Sequence, residues 1–234
     1  MSKSAVWAVV PAAGKGSRMG SDIPKQYLSL AGKPVLEHTL GVLTGHPRIG
    51  AVVLVVSGDD SRWPAITAQF DHRLIVVTGG SERCHSVLAG LQCLRDRADD
   101  RDWVLVHDAA RPCLRSEDID HMLNNLSDSE CGGILAAPVR DTLKRCTTNG
   151  EIEQTVDRTR LWHALTPQMF RLGGLCTAIQ TALENGLVVT DEAQAIEAAG
   201  GRPTIVEGHA DNIKITHPED LALAEMYLQI QGRS

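Results

Sequence analysis

Short apolar runs alternate with stretches of helical periodicity along most of the chain. The run Ala51–Val56 contains no polar position, which is typical of a strand buried on both faces of a sheet. Four other short runs predict strands at Ala5–Val10, Leu74–Val77, Trp103–Val106 and Gly133–Val139. The pattern therefore indicates a sheet whose centre is shielded from water on both sides.

Helical segments separate these strands. Apolar residues recur at helical spacing over Val35–Thr44 and Glu82–Leu94. A further helix is expected to begin with Ser116 as its capping residue and acidic residues in the first turn, and a last helix with Thr216 as its cap. Strands that alternate with helices predict an α/β fold, a mostly parallel sheet flanked by helices, here as a single domain over residues 1–234.

One segment departs from this alternation. The β-like stretches Thr142–Cys146 and Ile152–Val156 are joined by the turn-prone residues Thr148–Gly150. They predict a β-hairpin arm that projects from the α/β body over about residues 139–162. Because a lone hairpin is only marginally stable in water, the arm is expected to pack against a second copy of the chain and form a homodimer.

Composition narrows the class of protein. Hydrophobic residues make up 43% and charged residues 22% of the chain, as in ordinary globular proteins. The formal net charge of -6 argues against bulk attraction to nucleic acid. The longest strongly apolar run, Ala51–Val56, is far shorter than the roughly 20 residues of a membrane span, so no membrane partner is expected.

Cysteine usage indicates the compartment. The six cysteines form no CxxC pair, and their spacing fits neither a zinc ribbon nor a dense disulfide framework. Lys3 followed by Ala5–Val10 is too short and too soon interrupted for a signal peptide. We therefore expect reduced thiols and a cytoplasmic protein.

The loop after the first strand is rich in glycine and cations. Small residues and two glycines over Pro11–Met19 allow backbone N–H groups to approach an anion, and Lys15, Arg18 and Lys25 can supply charge to a polyphosphate. The loop matches neither a Walker A motif nor a dinucleotide fingerprint, because Met19 stands where each pattern continues. Taken alone, it also fits a structural turn with solvated lysines.

A series of motifs extends over nearly the whole chain. In order they are PAAGKGSRM (Pro11–Met19), PKQY (Pro24–Tyr27), GGSER (Gly79–Arg83), HDAARP (His107–Pro112), APVRDT (Ala137–Thr142), VDR (Val156–Arg158), LWHALTPQ (Leu161–Gln168), TDE (Thr190–Glu192) and DNIKIT (Asp211–Thr216). This ordered set resembles the family of 2-C-methyl-D-erythritol 4-phosphate cytidylyltransferases. Leu165 and Ser81 depart from residues frequent in that family, and neither departure removes a group that the chemistry needs.

The resemblance implies a Rossmann-like nucleotidyltransferase fold and a reaction. CTP and 2-C-methyl-D-erythritol 4-phosphate would give the CDP-linked alcohol and pyrophosphate, a step of isoprenoid synthesis. A phosphate monoester is already an anion near neutral pH, so the reaction needs positioned cations and a metal rather than a general base. The motifs agree, since they are rich in Lys and Arg and contain no nucleophile–base pair.

The resemblance also assigns roles to residues. Arg18 and Lys25 are expected to stabilise the transition state, and Asp108, at the end of a predicted strand, to bind Mg²⁺. The expected nucleotide-binding residues are Ala12, Ala13, Gly14, Lys15, Gly16, Gly80, Ser81 and Ser86. The expected contacts to the acceptor are Arg111, Thr142, Arg158, Thr166 and Lys214, with Arg158 reaching the partner subunit from the arm.

Several alternatives remain open at this stage. Ser86 can instead hydrogen-bond within its own helix, and Asp211 is either a second metal ligand or a turn residue. The acceptor can be another polyol phosphate such as ribitol 5-phosphate. A nicotinamide-dependent oxidoreductase and a nucleotide sensor without catalysis are further candidates, which the missing third glycine and the joint presence of Arg18, Lys25 and Asp108 disfavour.

Overall fold

One seven-stranded sheet forms the centre of the computed structural model, which describes residues 5–14, 19–20, 23–70 and 72–233. The strands are β1 (Val6–Pro11), β2 (Ser29–Leu30), β3 (Lys33–Pro34), β4 (Ala51–Val56), β5 (Leu74–Thr78), β6 (Trp103–Val106), β7 (Gly133–Pro138), β8 (Leu143–Cys146), β9 (Ile152–Val156), β10 (Trp162–Arg171) and β11 (Thr204–Glu207). The helices are α1 (Val35–Gly45), α2 (Trp63–Thr67), α3 (Arg83–Arg95), α4 (Ser116–Asn125), α5 (Leu172–Glu184), α6 (Glu192–Ala198) and α7 (Glu219–Ile230), with a 3₁₀ turn at Lys25–Tyr27.

The sheet has the order β11-β7-β10-β6-β1-β4-β5. β10 runs antiparallel to both of its neighbours, and the other pairings in the sheet are parallel. The chain builds outward from β1 through β4 to β5 and then crosses to the opposite side of β1 to form β6. The predicted α/β fold with a mostly parallel sheet is confirmed.

Alternating residues of the central strands feed two separate cores. All six residues of β4 are buried; Val52, Leu54 and Val56 pack on the side of α1, whereas Val53 and Val55 pack on the side of α3. Successive side chains of a strand point to opposite faces, so a strand with helices on both sides must be apolar throughout. This burial explains the uninterrupted run that the sequence displays.

The antiparallel strand β10 escaped the sequence analysis. Its ten residues mix polar and apolar types and include Pro167, and the pairing with β7 shifts register between Ala164 and Gln168. A bulge and a proline disturb the two-residue alternation on which strand prediction depends. The strand β11 was also missed, since its four residues have only Val206 buried.

The predicted arm forms its own small sheet. β8 and β9 pair with each other and with no strand of the main sheet. Trp162 pairs with Pro138 as the first residue of β10, so the main sheet resumes one residue earlier than predicted. Ile152 keeps 64% of its surface exposed on this arm.

Both helix caps predicted from the sequence are wrong. Ser116 is the first residue of α4 and Arg115 stands at the capping position, where no side chain caps the helix. Thr216 does not cap α7, which starts at Glu219. Instead, the Asp220 carboxylate in the first turn of α7 accepts hydrogen bonds from the backbone N–H groups of Thr216 and His217, and the Thr216 hydroxyl donates to the Lys214 carbonyl.

In the described part of the chain, no helix is both long enough and apolar enough to cross a bilayer.

Close packing of α3 on the sheet predicts opposite effects for two glycine substitutions. A Cβ at Gly90 would lie 2.6 Å from Val9 Cγ1 and 3.0 Å from Val55 Cγ2, whereas a Cβ at Gly41 on the exposed face of α1 meets nothing within 4 Å. Gly90→Ala should lower the free energy of unfolding by about 1–2 kcal/mol through overpacking. Gly41→Ala should raise it by up to about 1 kcal/mol through helix propensity.

Urea unfolding at equilibrium measures both changes under the same conditions. Equal effects of the two substitutions, in either direction, would contradict the close contact of α3 with β1 and β4.

Candidate active site

A cavity of about 480 Å³ opens at the carboxyl ends of β1, β5 and β6. This is where the strand order reverses around β1, the position at which open α/β sheets bind ligands. The cavity is lined by Pro11, Ala12, Ala13, Gly14, Lys25, Gln26, Gly80, Ser81, Glu82, Arg83, Ser86, Asp108, Ala109, Ala110, Lys214 and Thr216. The loops after β1, β5 and β6 therefore meet here.

The first wall is the loop after β1, which a glutamine holds in place. The Ala12 N–H donates to the Val55 carbonyl at 2.7 Å. The buried Gln26 amide donates to the carbonyl of Ala12 at 2.7 Å and to that of Gly14 at 3.2 Å. Because the 3₁₀ turn of Gln26 is thereby tied to the loop, the described part of the loop has a fixed shape before any ligand binds.

The second wall is the connection from β5 to α3. A Cβ at Gly79 would lie 2.6 Å from Ser86 Oγ, and one at Gly80 would lie 2.5 Å from His85 Cβ, so only glycine fits this close turn. The Ser86 hydroxyl donates to the Glu82 carbonyl at 3.2 Å, the bond within its own helix that the sequence left open. Ser86 is among the residues that line the cavity, and a hydroxyl oxygen that donates one hydrogen bond can still accept another.

The centre of the cavity is a carboxylate surrounded by three cations. Asp108 is 7% exposed; its Oδ1 accepts from Arg83 Nε at 3.1 Å, and its Oδ2 lies 2.8 Å from Lys214 Nζ and 3.6 Å from Arg111 Nε. Burial alone would raise the Asp108 pKa, but the charges of Arg83, Lys214 and Arg111 outweigh it and hold this pKa well below its ordinary value. The carboxylate is therefore ionised.

A second buried carboxylate stands behind Arg83. Glu192 is 1% exposed and accepts two hydrogen bonds from the Arg83 guanidinium, at 2.6 and 3.0 Å. Burial alone would lower the Arg83 pKa, but Glu192 and Asp108 outweigh it and raise this pKa above its ordinary value. Arg83 is thus held between two carboxylates.

Three polar residues fix the orientation of Asp108. The Thr166 hydroxyl accepts from the Asp108 N–H at 3.1 Å and contacts His107 Nδ1 at 2.9 Å, while His107 Nε2 lies 3.1 Å from the Arg111 carbonyl. A carbonyl only accepts, so Nε2 carries the proton and Nδ1 accepts from Thr166. Burial lowers the His107 pKa to about 4, and the ring is neutral at physiological pH.

The third wall is the segment that carries Lys214. Arg111 Nη1 donates to the Asn212 carbonyl at 2.7 Å, Lys25 Nζ donates to the Ile215 carbonyl at 2.9 Å, and the Ile215 N–H donates to Ala110. Lys214, 36% exposed at its side chain, lies between these anchors. The backbone that bears it is therefore held by hydrogen bonds on both sides, whereas its side chain is partly exposed at the cavity.

The structure brings most of the predicted residues together. Ala12, Ala13, Gly14, Lys25, Gly80, Ser81, Ser86, Asp108 and Lys214 all line the cavity. Arg111 and Thr166 stand directly behind it, at 8% and 4% exposure, in contact with Asp108. Lys15, Gly16 and Arg18 lie outside the described residues.

Two predicted acceptor contacts, Thr142 and Arg158, are not part of this cavity. Thr142 and Arg158 are both exposed on the arm, where Arg158 Nη1 approaches the Thr142 hydroxyl at 3.4 Å. Neither residue lines the cavity of its own chain.

The contacts of Asp211 bear on whether it is a second metal ligand or a structural residue. Its carboxylate forms an ion pair with Arg115 and accepts from Gln231 Nε2 at 3.1 Å. It is not among the residues that line the cavity. The structure thus gives Asp211 a part in anchoring the C-terminal helix, and its candidacy as a second metal ligand finds no support.

Sequence reasoning passed over several residues of this site. Arg83, Gln26, Gln168 and Glu192 all occur inside the quoted motifs, yet they received no role. The sequence could have marked them as candidates for the site, because each is a polar residue inside one of the motifs. Only their contacts distinguish them from solvated surface residues.

Known proteins resemble this chain throughout its length. The family model of IspD, 2-C-methyl-D-erythritol 4-phosphate cytidylyltransferase, matches residues 6–230. Enzymes of that name from Pseudomonas putida (strain GB-1) and Hahella chejuensis are 53% and 50% identical to it, over 93% and 98% of this chain and 93% and 95% of their own lengths. The solved structure of the Francisella tularensis enzyme covers 96% of this chain and 100% of its own, with 36% identity and a TM-score of 0.83.

The cation-rich cavity at the switch point and these likenesses define a nucleotidyltransferase. The chain belongs to the family of 2-C-methyl-D-erythritol 4-phosphate cytidylyltransferases. The resemblance drawn from the sequence motifs is confirmed.

Proposed function

We propose that the cavity around Asp108 binds CTP and that the enzyme transfers its cytidylyl group to 2-C-methyl-D-erythritol 4-phosphate. Family membership supports this substrate pair over ribitol 5-phosphate. The observation that carries the site assignment is the ion cluster of Asp108 at the switch point of the sheet, in a cavity lined by both nucleotide-binding motifs.

The reaction is a direct displacement at phosphorus. An oxygen of the acceptor phosphate forms a bond to the α-phosphorus of CTP, and the bond between that phosphorus and the bridging oxygen of the β-phosphate breaks. Pyrophosphate leaves with the electron pair, in line with the incoming oxygen. The displacement requires no protein nucleophile. The protein needs only to align the two anions and neutralise the developing charge.

The cavity walls divide the recognition of the nucleotide. Backbone groups of Ala12, Ala13 and Gly14 face one side, and Gly80, Ser81 and Ser86 face the other. We assign the second set to the cytosine, because the Ser86 oxygen can accept from an amino group and so discriminate cytosine from uracil. The first set lies at the start of the cationic loop and is assigned to the phosphates.

Asp108 can bind Mg²⁺ if the triphosphate of the nucleotide supplies further ligands. Mg²⁺ requires one or two carboxylates and takes its other ligands from phosphate and water, so Asp108 is sufficient. In the described part of the chain, no three His, Cys, Asp or Glu side chains cluster as a metal cage. When bound, the ion would supply charge neutralisation at the phosphate oxygens.

The cations of the cavity serve the two phosphate groups. Lys25, held beside the β1 loop, is assigned to the leaving phosphates, together with Arg18 and Lys15 as the sequence motif implies. Lys214 has the most exposed side chain of the cluster and is assigned to the acceptor phosphate. Arg111 and Thr166 are buried, so we assign them to the support of Asp108 and of the Lys214 segment.

The arm completes the site of a second subunit in this proposal. Arg158 and Thr142 are exposed and outside the cavity of their own chain, and the exposed Ile152 and Trp162 offer apolar surface for a partner. A homodimer formed through residues 139–162 would bring Arg158 to the acceptor phosphate of the partner's cavity. The six free thiols fit the reducing cytoplasm as the place of action.

Pyrophosphate release tests the reaction. With CTP and Mg²⁺, release should depend on 2-C-methyl-D-erythritol 4-phosphate and be absent with ribitol 5-phosphate or without acceptor. Release with ribitol 5-phosphate alone would overturn the acceptor assignment and keep the mechanism, whereas no release with any acceptor would overturn both.

Mixed dimers test the shared site. Homodimers of Lys25→Ala and of Arg158→Ala should each be nearly inactive. Random reassociation of the two variants should restore about a quarter of wild-type activity, because half of the dimers are mixed and one of their two sites is intact. If Arg158 served its own subunit, every site would carry a defect and mixing would restore nothing.

The mixed population needs its own control. Each variant is also mixed with itself by the same procedure, and the size of the particles is measured. A monomer at assay concentration would contradict the proposed dimer.

A further inference from the structure

Glu192 is a buried carboxylate to which no substrate contact has been assigned. It is 1% exposed and does not line the cavity, yet both of its oxygens bind the Arg83 guanidinium. Arg83 in turn donates to Asp108 through Nε. Two carboxylates thus hold different nitrogens of one guanidinium, and of the two only Asp108 lines the cavity.

The backbone of Glu192 is fixed by a separate clamp. The Gln168 amide donates to the Asp191 carboxylate at 3.0 Å, and the Gln168 carbonyl oxygen accepts from the Ala193 N–H at 2.8 Å. Asp191 also caps α6 by accepting from the Gln194 N–H at 2.9 Å. Since Gln168 belongs to β10, the start of α6 is attached to the central sheet, and the Glu192 side chain has a defined origin.

The positive charge of the surrounding cluster explains why the Glu192 carboxylate is buried beside Arg83. The described part of the cluster contains three cations, Arg83, Arg111 and Lys214, and two anions, Asp108 and Glu192, which leaves one net positive charge. Without Glu192 the net charge would be two. Burial raises the Glu192 pKa, and the Arg83 guanidinium opposes that shift by stabilising the ionised carboxylate.

We propose that Glu192 is a positioning residue that neutralises Arg83 and holds it in place, so that the Asp108 carboxylate remains available to a divalent cation. This inference rests on the assignment of Asp108 as the metal ligand. With Glu192 present, the guanidinium spends its two Nη groups on Glu192 and reaches Asp108 by Nε alone. Released from Glu192, it can turn both Nη groups towards Asp108 or the phosphates.

The proposal predicts two shifts of opposite sign. Glu192→Gln keeps the shape of the side chain and removes its charge. The concentration of Mg²⁺ needed for half-maximal activity should rise about five-fold, because a more positive site repels the cation. The affinity for CTP in EDTA, measured by calorimetry, should rise about three-fold, because the same site attracts the free triphosphate more strongly.

A matched control lies on the same helix. Glu197 is exposed on α6 and no ion pair of Arg83 involves it. Glu197→Gln removes the same charge from the same helix, and both measurements should stay within about two-fold of the wild type because solvent screens this exposed charge.

The outcomes separate this proposal from simple loss of structure. A damaged site would bind CTP more weakly with and without metal, so a fall in metal-free affinity for Glu192→Gln overturns the proposal. Unchanged metal dependence overturns it as well. Asp108→Asn distinguishes the underlying assignment: if its metal dependence equals that of the wild type, the metal site itself is misplaced.

Thermal unfolding checks that Glu192→Gln is folded. A second variant, at the same position, tests the proposal even if Glu192→Gln does not fold. Glu192→Asp retains the charge and withdraws the carboxylate from Arg83. Its kcat should fall about ten-fold through loss of position. Its metal-free affinity for CTP should stay near the wild type, and an unchanged kcat would contradict the positioning role.

Discussion

The structure depends on a carboxylate that is kept ionised away from water. An isolated buried charge is too costly to persist, so Asp108 requires the cations that surround it. Each cation comes from a different part of the chain: Arg83 from α3, Arg111 from the loop after β6, and Lys214 from the segment before α7. The fold can be understood as the scaffold that brings these three segments to one strand end.

The same arrangement prepares the site for anionic substrates. The described cluster has an excess of positive charge and lies where strand ends open a cavity, so a triphosphate completes its electrostatics. Hydrogen bonds hold the walls of the cavity. Gln26 binds the β1 loop and Arg111 binds the Asn212 carbonyl, whereas the partly exposed Lys214 side chain is held by its ion pair with Asp108. Preorganised walls with an exposed cation suit a reaction in which two anions must meet.

Sequence patterns predicted the parts of this structure that are governed by local rules. The run Ala51–Val56 must be a central strand because both of its faces are covered, and Asp108 follows a strand end where ligands bind. The partnership of Arg83 with Glu192 could not be predicted in this way, since the two residues are 109 positions apart. The bulged β10 could not be predicted either, because its pairing with β7 shifts register and breaks the two-residue alternation. Local propensity also misplaced the cap of α7, where the Thr216 hydroxyl donates to the Lys214 carbonyl and an aspartate inside the helix accepts from the Thr216 N–H.

Anomalous diffraction from Mn²⁺ would test the central role of Asp108 most directly. Crystals grown with Mn²⁺ and a CTP analogue whose α and β phosphorus atoms are joined by a methylene group would trap the complex before pyrophosphate leaves. Our account predicts one anomalous peak within coordination distance of an Asp108 oxygen, bridged to the phosphates, with Lys214 displaced from that oxygen. A peak held by other protein groups, with the three cations still on Asp108, would contradict it.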